Sequence, residues 1–325
     1  ELERVGMADR LAPRDAESPP WPIAGRYVIT ERVGAGGMGA VYRARHEIVG
    51  RDVAIKFLAP ELCDDKDNRE RFLREAKAAT RVDPEHITDT PDCGEPRDGH
   101  ASLGMESLGG EPLSRAIGRG PLEPHRAVEI ARQTASALAR AHELDVIHRD
   151  IKPDNVYLVD RGTGVDFVKL LDFGLAKIKG QLRLTASGAV FGTPEYMAPE
   201  QARGRPLTGK ADLYALGCVL HEMLTGAPPF DGPTPDLILR HIREEPPAPS
   251  SLVAGLPPEL DAVVLRLLEK EPERRYADAH HLGEELRQVA RLLPRASAFP
   301  PSTQQRVAEA LSATLRSIDE RPTWS

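Results

Sequence analysis

Residues 148–155 read HRDIKPDN, placing an acid, a cation and an amide (Asp150, Lys152 and Asn155) within six positions, with Pro153 between them. A proline inside a helix removes a hydrogen bond and clashes with the preceding turn, so the segment is expected to be a loop. A loop holding a base, a positive charge and a metal-binding amide suits phosphoryl transfer, where the protein mostly positions reactants and neutralises charge. The plainer reading is a polar surface loop, and the residues flanking it on both sides argue against that reading.

Downstream, Val156-Tyr157-Leu158-Val159 reads as a short strand, followed by a turn at Asp160-Arg161-Gly162 and a second strand from Phe167 to Leu171. That strand runs into Asp172-Phe173-Gly174, with Asp172 seventeen residues beyond Asn155. A carboxylate at the end of a buried strand, freed to turn by glycine, can coordinate magnesium through hard oxygen, so Asp172 and Asn155 are candidate metal ligands. Upstream, Ala127, Ile130, Ala131, Leu138 and Ala141 recur at helical intervals and predict a long helix over residues 124–144 that delivers the chain to the loop.

Further upstream stands VGAGGMGAV, residues 33–41. Its three glycines at G-x-G-x-x-G spacing, Gly34, Gly36 and Gly39, also occur in dinucleotide-binding folds, but those need a helix directly afterwards. Here Val41, Arg43 and Arg45 alternate with Tyr42 and Ala44 up to Gly50, which predicts a second strand. A glycine-rich hairpin turn can lie over phosphates and offer backbone N–H groups without side-chain obstruction. Next, Val53-Ala54-Ile55-Lys56 embeds a lysine in an apolar strand, which is costly unless the lysine is paired. A helix over 69–80, with Phe72, Ala76 and Ala79 on its inner side, would carry Glu75 on the same edge. Paired with Glu75, the Lys56 ammonium could hold the α- and β-phosphates. An ordinary surface ion pair is the alternative.

Together these residues resemble the eukaryotic-like protein kinases, and the lysine two positions after the aspartate resembles their serine/threonine type. The resemblance is strongest to the bacterial Hanks-type serine/threonine kinases and spans roughly residues 25–293. It implies an α+β, bilobal protein-kinase fold, with a small, mainly β N-lobe carrying one key helix (about 25–108) and a larger, mainly α C-lobe (about 109–293). It also implies ATP with Mg2+, or Mn2+ as the alternative ion, as cofactors. Asp150 would accept the hydroxyl proton, and Lys152 would offset charge on the phosphates. Met105-Glu106-Ser107-Leu108 resembles the hinge. There Met105 would guard the back of the adenine pocket, Glu106 would offer its carbonyl and Leu108 its N–H. Val41, Ala54 and Tyr157 would line the nucleotide, Tyr157 standing where the family more often has a plain aliphatic and so needing a partner for its hydroxyl. Ala198-Pro199-Glu200 would anchor an activation segment, with Arg275 as the bidentate partner of Glu200 and Asp212 as a buried brace at the start of an apolar helix. Thr193 is expected to contact Asp150 and Lys152. Within the segment, Thr185 and Ser187 are the candidate phosphorylation sites, and Arg149 and Lys177 the cations that would receive a phosphate.

The weakest match is residues 81–104, where the two strands usual in this family carry proline, glycine and polar residues, predicting weakened or edge strands. The proline-rich 246–258 stretch reads as a connection between helices, and His280-His281 as surface. Residues 1–24 read as a flexible leader, and residues 294–325 as a tail in which Val307, Leu311, Leu315 and Ile318 form one helical stripe. The 325 residues carry a net charge of −7, which argues against nucleic acid as a partner. Three cysteines, Cys63, Cys93 and Cys218, show no metal-ligand spacing and suggest reduced thiols in the cytoplasm. No apolar run is long enough to span a bilayer, so no membrane contact is expected from this segment, though it could be the cytoplasmic part of an anchored parent. The expected partners are proteins with serine or threonine acceptors, and a second copy of the chain for autophosphorylation. A nucleotide-binding pseudokinase scaffold is the alternative, although the lysine, the base and the metal aspartate are all present.

Overall fold

The computed structural model describes residues 22–23, 27–36, 39–58, 86, 92–94, 102–171 and 193–293. Glu75, Asp172, Lys177, Thr185, Ser187, the helix expected over 69–80 and the tail stripe lie outside these residues.

The amino-terminal half folds as an antiparallel sheet of β1 (Pro22–Ile23), β2 (Tyr27–Gly36), β3 (Gly39–His46), β4 (Asp52–Leu58), β5 (Asp92–Gly94) and β6 (Ser102–Glu106), in the order β1-β2-β3-β4-β6-β5. The glycines lie at the end of the β2–β3 hairpin, with Gly34 opposite Val41 and Gly36 paired to Gly39. Gly39 has φ 137°, a conformation open only to glycine. A strand follows the glycines, as expected, which removes the dinucleotide reading.

Period-two alternation then sorts the side chains. Tyr27, Ile29, Tyr42, Ala44, Val53 and Ile55 pack into a small core, and Arg43 and Arg45 between them are exposed. Cross-strand register puts Val41 opposite Lys56 and Ala54 opposite Met105, so these four share the other face. β5 is a three-residue strand at the edge of the described sheet, and residues 87–91, where a weak strand is expected, lie outside the described residues. The expectation of a weak or edge strand over 101–104 needs correction. β6 lies between β4 and β5 and runs to Glu106, because hydrogen bonds on both sides compensate for its small residues. β1 also falls within the segment expected as leader and pairs with β2.

The second half opens with β7 (Gly110–Pro112), α1 (Leu113–Ile117) and α2 (Pro124–Glu143). Glu123 caps α2 by accepting from the Arg126 N–H, and Pro124 takes the first turn, where a missing N–H costs nothing. After the 148–155 loop come β8 (Val156–Asp160) and β9 (Asp166–Leu170), which join β7 in a three-stranded antiparallel sheet. The remaining helices are α3 (Pro199–Ala202), α4 (Gly209–Thr225), α5 (Thr234–Arg243), α6 (Pro249–Leu252), α7 (Pro258–Leu267) and α8 (Ala279–Leu292). α6 sits inside the stretch expected to be a plain connection.

α4 is the hub of this half. It is buried on nearly every face, as a helix apolar all round must be, and packs against α2 and α7. Each fully buried leucine on it, such as Leu213 or Leu216, contributes about 1.5–3 kcal/mol by leaving water. α4 starts at Gly209, so Asp212 stands in the first turn of the apolar helix, as expected. No described helix is long and apolar enough to cross a membrane.

Candidate active site

Pro153 opens a single 3-10 turn over Pro153–Asn155, so the proline that forbids a long helix starts a short one. That turn folds Asn155 back onto Asp150, and its Nδ2 donates to the Asp150 carbonyl at 2.6 Å and to the carboxylate at 3.2 Å. Lys152 Nζ stands 3.1 Å from the same carboxylate and donates to Thr193 Oγ1 at 3.0 Å. The carboxylate of Asp150 is thus held by a cation and an amide and keeps partial exposure, with a hydroxyl-bearing loop alongside. The expected contact of Thr193 with Lys152 is present.

Behind the loop, Asp212 accepts from the backbone N–H of His148 at 2.9 Å and of Arg149 at 2.7 Å. Two consecutive N–H groups can face one carboxylate because Arg149 adopts φ 68°, a strained conformation for a side-chain-bearing residue. Burial pushes the Asp212 carboxyl up, but the hydrogen bond from His142 and the Arg149 N–H outweigh it and hold the group below the usual carboxylate range. The buried His148 ring meets the Leu171 carbonyl at 2.8 Å, and the Leu171 N–H donates to the Asn155 carbonyl at 2.9 Å. These two bonds tie the loop to the chain just before Asp172. Among the described residues, the buried Arg149 Nε has no hydrogen-bond partner. Arg275 grips Glu200 with two hydrogen bonds, 2.7 and 2.8 Å, both side chains being buried, as expected of that pair.

On the sheet above, Lys56 is buried on the face it shares with Val41, Ala54 and Met105. Gly34 is exposed, and Gly36 and Gly39 close the hairpin turn. Met105 is buried at the end of β6, with Glu106 and Leu108 half-buried beside it. Tyr157 finds the partner its hydroxyl needs in the Gly110 carbonyl at 3.0 Å.

Three participants were not singled out in the sequence. His142 on α2 bonds Asp212 at 2.8 Å. Gly209 is the empty place its ring requires, since a Cβ there would stand 2.5 Å from Nδ1. Lys169 on β9 pairs with the Glu106 carboxylate. The signal for Lys169 was the one that picked Lys56, a lysine set between apolar neighbours in a short strand.

Among the described residues no group of three or more His, Cys, Asp or Glu could hold a metal ion. A hard dication can be bound through one or two protein oxygens with substrate phosphates completing its shell, and Asn155 offers an amide oxygen of that kind.

A β-sheet lobe with a buried lysine, set over a helical lobe whose loop presents aspartate, lysine and asparagine, is the architecture of a phosphotransferase of the kinase class. The family profile described as protein kinase domain matches residues 27–286, and the chain belongs to that family, in its bacterial Hanks-type serine/threonine branch. It is 40% identical over 286 residues to serine/threonine-protein kinase pkn3 of Myxococcus xanthus, covering 86% of this chain and 52% of the relative. It is 43% identical over 261 residues to PknH of Mycobacterium tuberculosis, covering 80% of this chain and 41% of that protein. The chain therefore spans about half, or less, of the length of these curated relatives. Among solved structures, the kinase domain of M. tuberculosis PknI superposes with TM-score 0.67 at 29% identity, covering 85% of this chain and 99% of that one. The domain is thus of the serine/threonine protein kinase type, a family that uses ATP and a divalent metal to phosphorylate proteins.

Proposed function

We propose that the domain transfers the γ-phosphoryl group of ATP, in line, to serine or threonine hydroxyls on proteins, with Asp150 as the base. The observation carrying this reading is the convergence of Lys152 and Asn155 on the Asp150 carboxylate, with Thr193 bound to Lys152. Asp150 would orient the acceptor hydroxyl and take its proton as the bond to phosphorus forms. Lys152 would offset charge on the moving phosphoryl group. Lys56, placed by Glu75, would hold the α- and β-phosphates under the Gly34–Gly36–Gly39 turn. Val41, Ala54, Met105 and Tyr157 would enclose the adenine, which would bond the Glu106 carbonyl and the Leu108 N–H. Asn155 and Asp172 would hold Mg2+, which when bound neutralises charge between the phosphates.

The same reading extends to regulation. Arg149, whose buried Nε has no partner among the described residues, supports a phosphate-receiving role, with phosphorylation of Thr185 or Ser187 by a second copy of the chain as the activating event. Action in the cytoplasm, where ATP is supplied, is part of the same proposal.

The test is incubation with γ-labelled ATP and a generic protein acceptor, wild type against Asp150→Asn. Wild type should label the acceptor and itself, and the variant should lose roughly 10²–10⁴-fold in rate while still binding nucleotide. Nucleotide binding without transfer by the wild type would favour the scaffold reading instead.

A further inference from the structure

Among the described residues, the amino-terminal half grips strand β9 at two places. At one, His86 meets it with both backbone and ring: the Leu170 N–H donates to the His86 carbonyl at 2.9 Å, and His86 Nδ1 lies 2.8 Å from the Val168 carbonyl. The His86 ring also stacks on Phe167, with centroids 4.6 Å apart. At the other, the Lys169 ammonium pairs with the Glu106 carboxylate, the lysine side chain being 10% exposed and the glutamate 32%. A buried ammonium that loses a carboxylate is costly, so the pair favours keeping β9 close to the end of β6.

Register gives the pair its significance. Lys169 stands directly opposite Tyr157 across the β8–β9 ladder, so both leave the same face of that hairpin. Glu106 lies directly beyond Met105 at the end of β6, opposite Val53 of β4. One ion pair therefore ties the strand that ends in the hinge to the strand beside the residue proposed beneath the adenine.

We infer that Lys169 and Glu106 are positioning residues for nucleotide binding, and that their ion pair holds the Glu106–Leu108 backbone at the height above Tyr157 that an adenine ring requires. This rests on the proposed function, since it presumes that the cleft takes a nucleotide. The His86 contacts still hold β9 when the pair is broken, so the displacement falls at the hinge end of β6, on the gap between hinge and Tyr157.

The experiment measures binding of a fluorescent ADP analogue to wild type, Lys169→Met, Lys169→Arg and Glu106→Gln, each with EDTA and with Mg2+, alongside ATP KM and kcat. Binding to Lys169→Met should weaken about fivefold to tenfold, the size of a typical pairwise coupling, and by the same factor with and without the metal. KM should rise in proportion while kcat stays within about twofold, and Lys169→Arg should restore most of the affinity. Glu106→Gln, which keeps the side-chain shape, gives a second reading if Lys169→Met is poorly folded, and the double variant should be no worse than either single one.

A loss seen only with Mg2+ would overturn the proposal, because the pair would then act at the metal end. So would unchanged affinity, or a rise in kcat at constant KM, which would make the pair a brake. Failure of the wild type itself to bind ADP counts against the proposed function and not against the pair.

Discussion

Asp212 lies behind the 148–155 loop, and three donors converge on its carboxylate: the His148 and Arg149 N–H groups and the His142 ring. An amide in its place has only one oxygen for these donors and would turn an NH2 group against another. Asp212→Asn should therefore let the loop relax by a fraction of an ångström, and small misplacements of the proposed base, Asp150, are expensive. We expect kcat to fall about 10–100-fold, with ATP KM within about twofold, in steady-state assays. Because the folded carboxyl is held below its ordinary range, its ionised form stabilises the fold at neutral pH, and this contribution is lost as pH falls through the folded value. The sequence pointed to Asp212 through resemblance. It did not point to His142, whose partner is 70 residues away and is set by how α2 and α4 cross.

At the scale of the element, α5 carries the least conventional packing. His241 is fully buried on its inner face, with Nδ1 2.9 Å from the Tyr214 hydroxyl and its ring edge-on to Phe230. The ammonium of Lys270 lies 4.6 Å from the centroid of that same Phe230 ring. Burial, with the nearby Lys270 charge, pulls the His241 imidazole down to about 4. Between pH 6.5 and 4 the unfolded chain takes up a proton that the folded chain refuses, so stability falls as pH falls through this window. The expected loss is about 2–3 kcal/mol, from the roughly 1.4 kcal/mol that each pH unit of displacement represents. Urea titrations at pH 7 and pH 4.5 should show it, and His241→Gln should flatten the difference. Element boundaries were largely legible. The period of apolar residues located α2, and the glycines located the β2–β3 turn. The interior position of β6 was not legible, because composition reports what a strand could pack but not which strands flank it.

For the whole molecule, the two halves differ in how much apolar surface they bury among the described residues. The amino-terminal core consists of Tyr27, Ile29, Tyr42, Ala44, Val53 and Ile55, against a continuous core around α2 and α4 in the second half. Opening free energy follows buried contacts, so amide exchange should be fastest in β2–β4 and slowest in α2 and α4. A ligand that binds only the closed form adds stability by mass action, and ADP with Mg2+ should slow exchange in β2–β4 more than in α4. Equal slowing in both halves would show that they open as one unit. What the sequence determined alone was which residue types are present and their order along the chain. Lys56, Asp150, Lys152 and Asn155 are recognisable because residue type and local spacing are properties of the chain itself, as is the proline that forces a loop. Only the tertiary structure decided that Lys169 answers Glu106 from 63 residues away, that His142 stands behind Asp212, and that His86 holds β9. A charge buried in a strand declares that it needs a partner, but packing alone selects which distant carboxylate comes within reach.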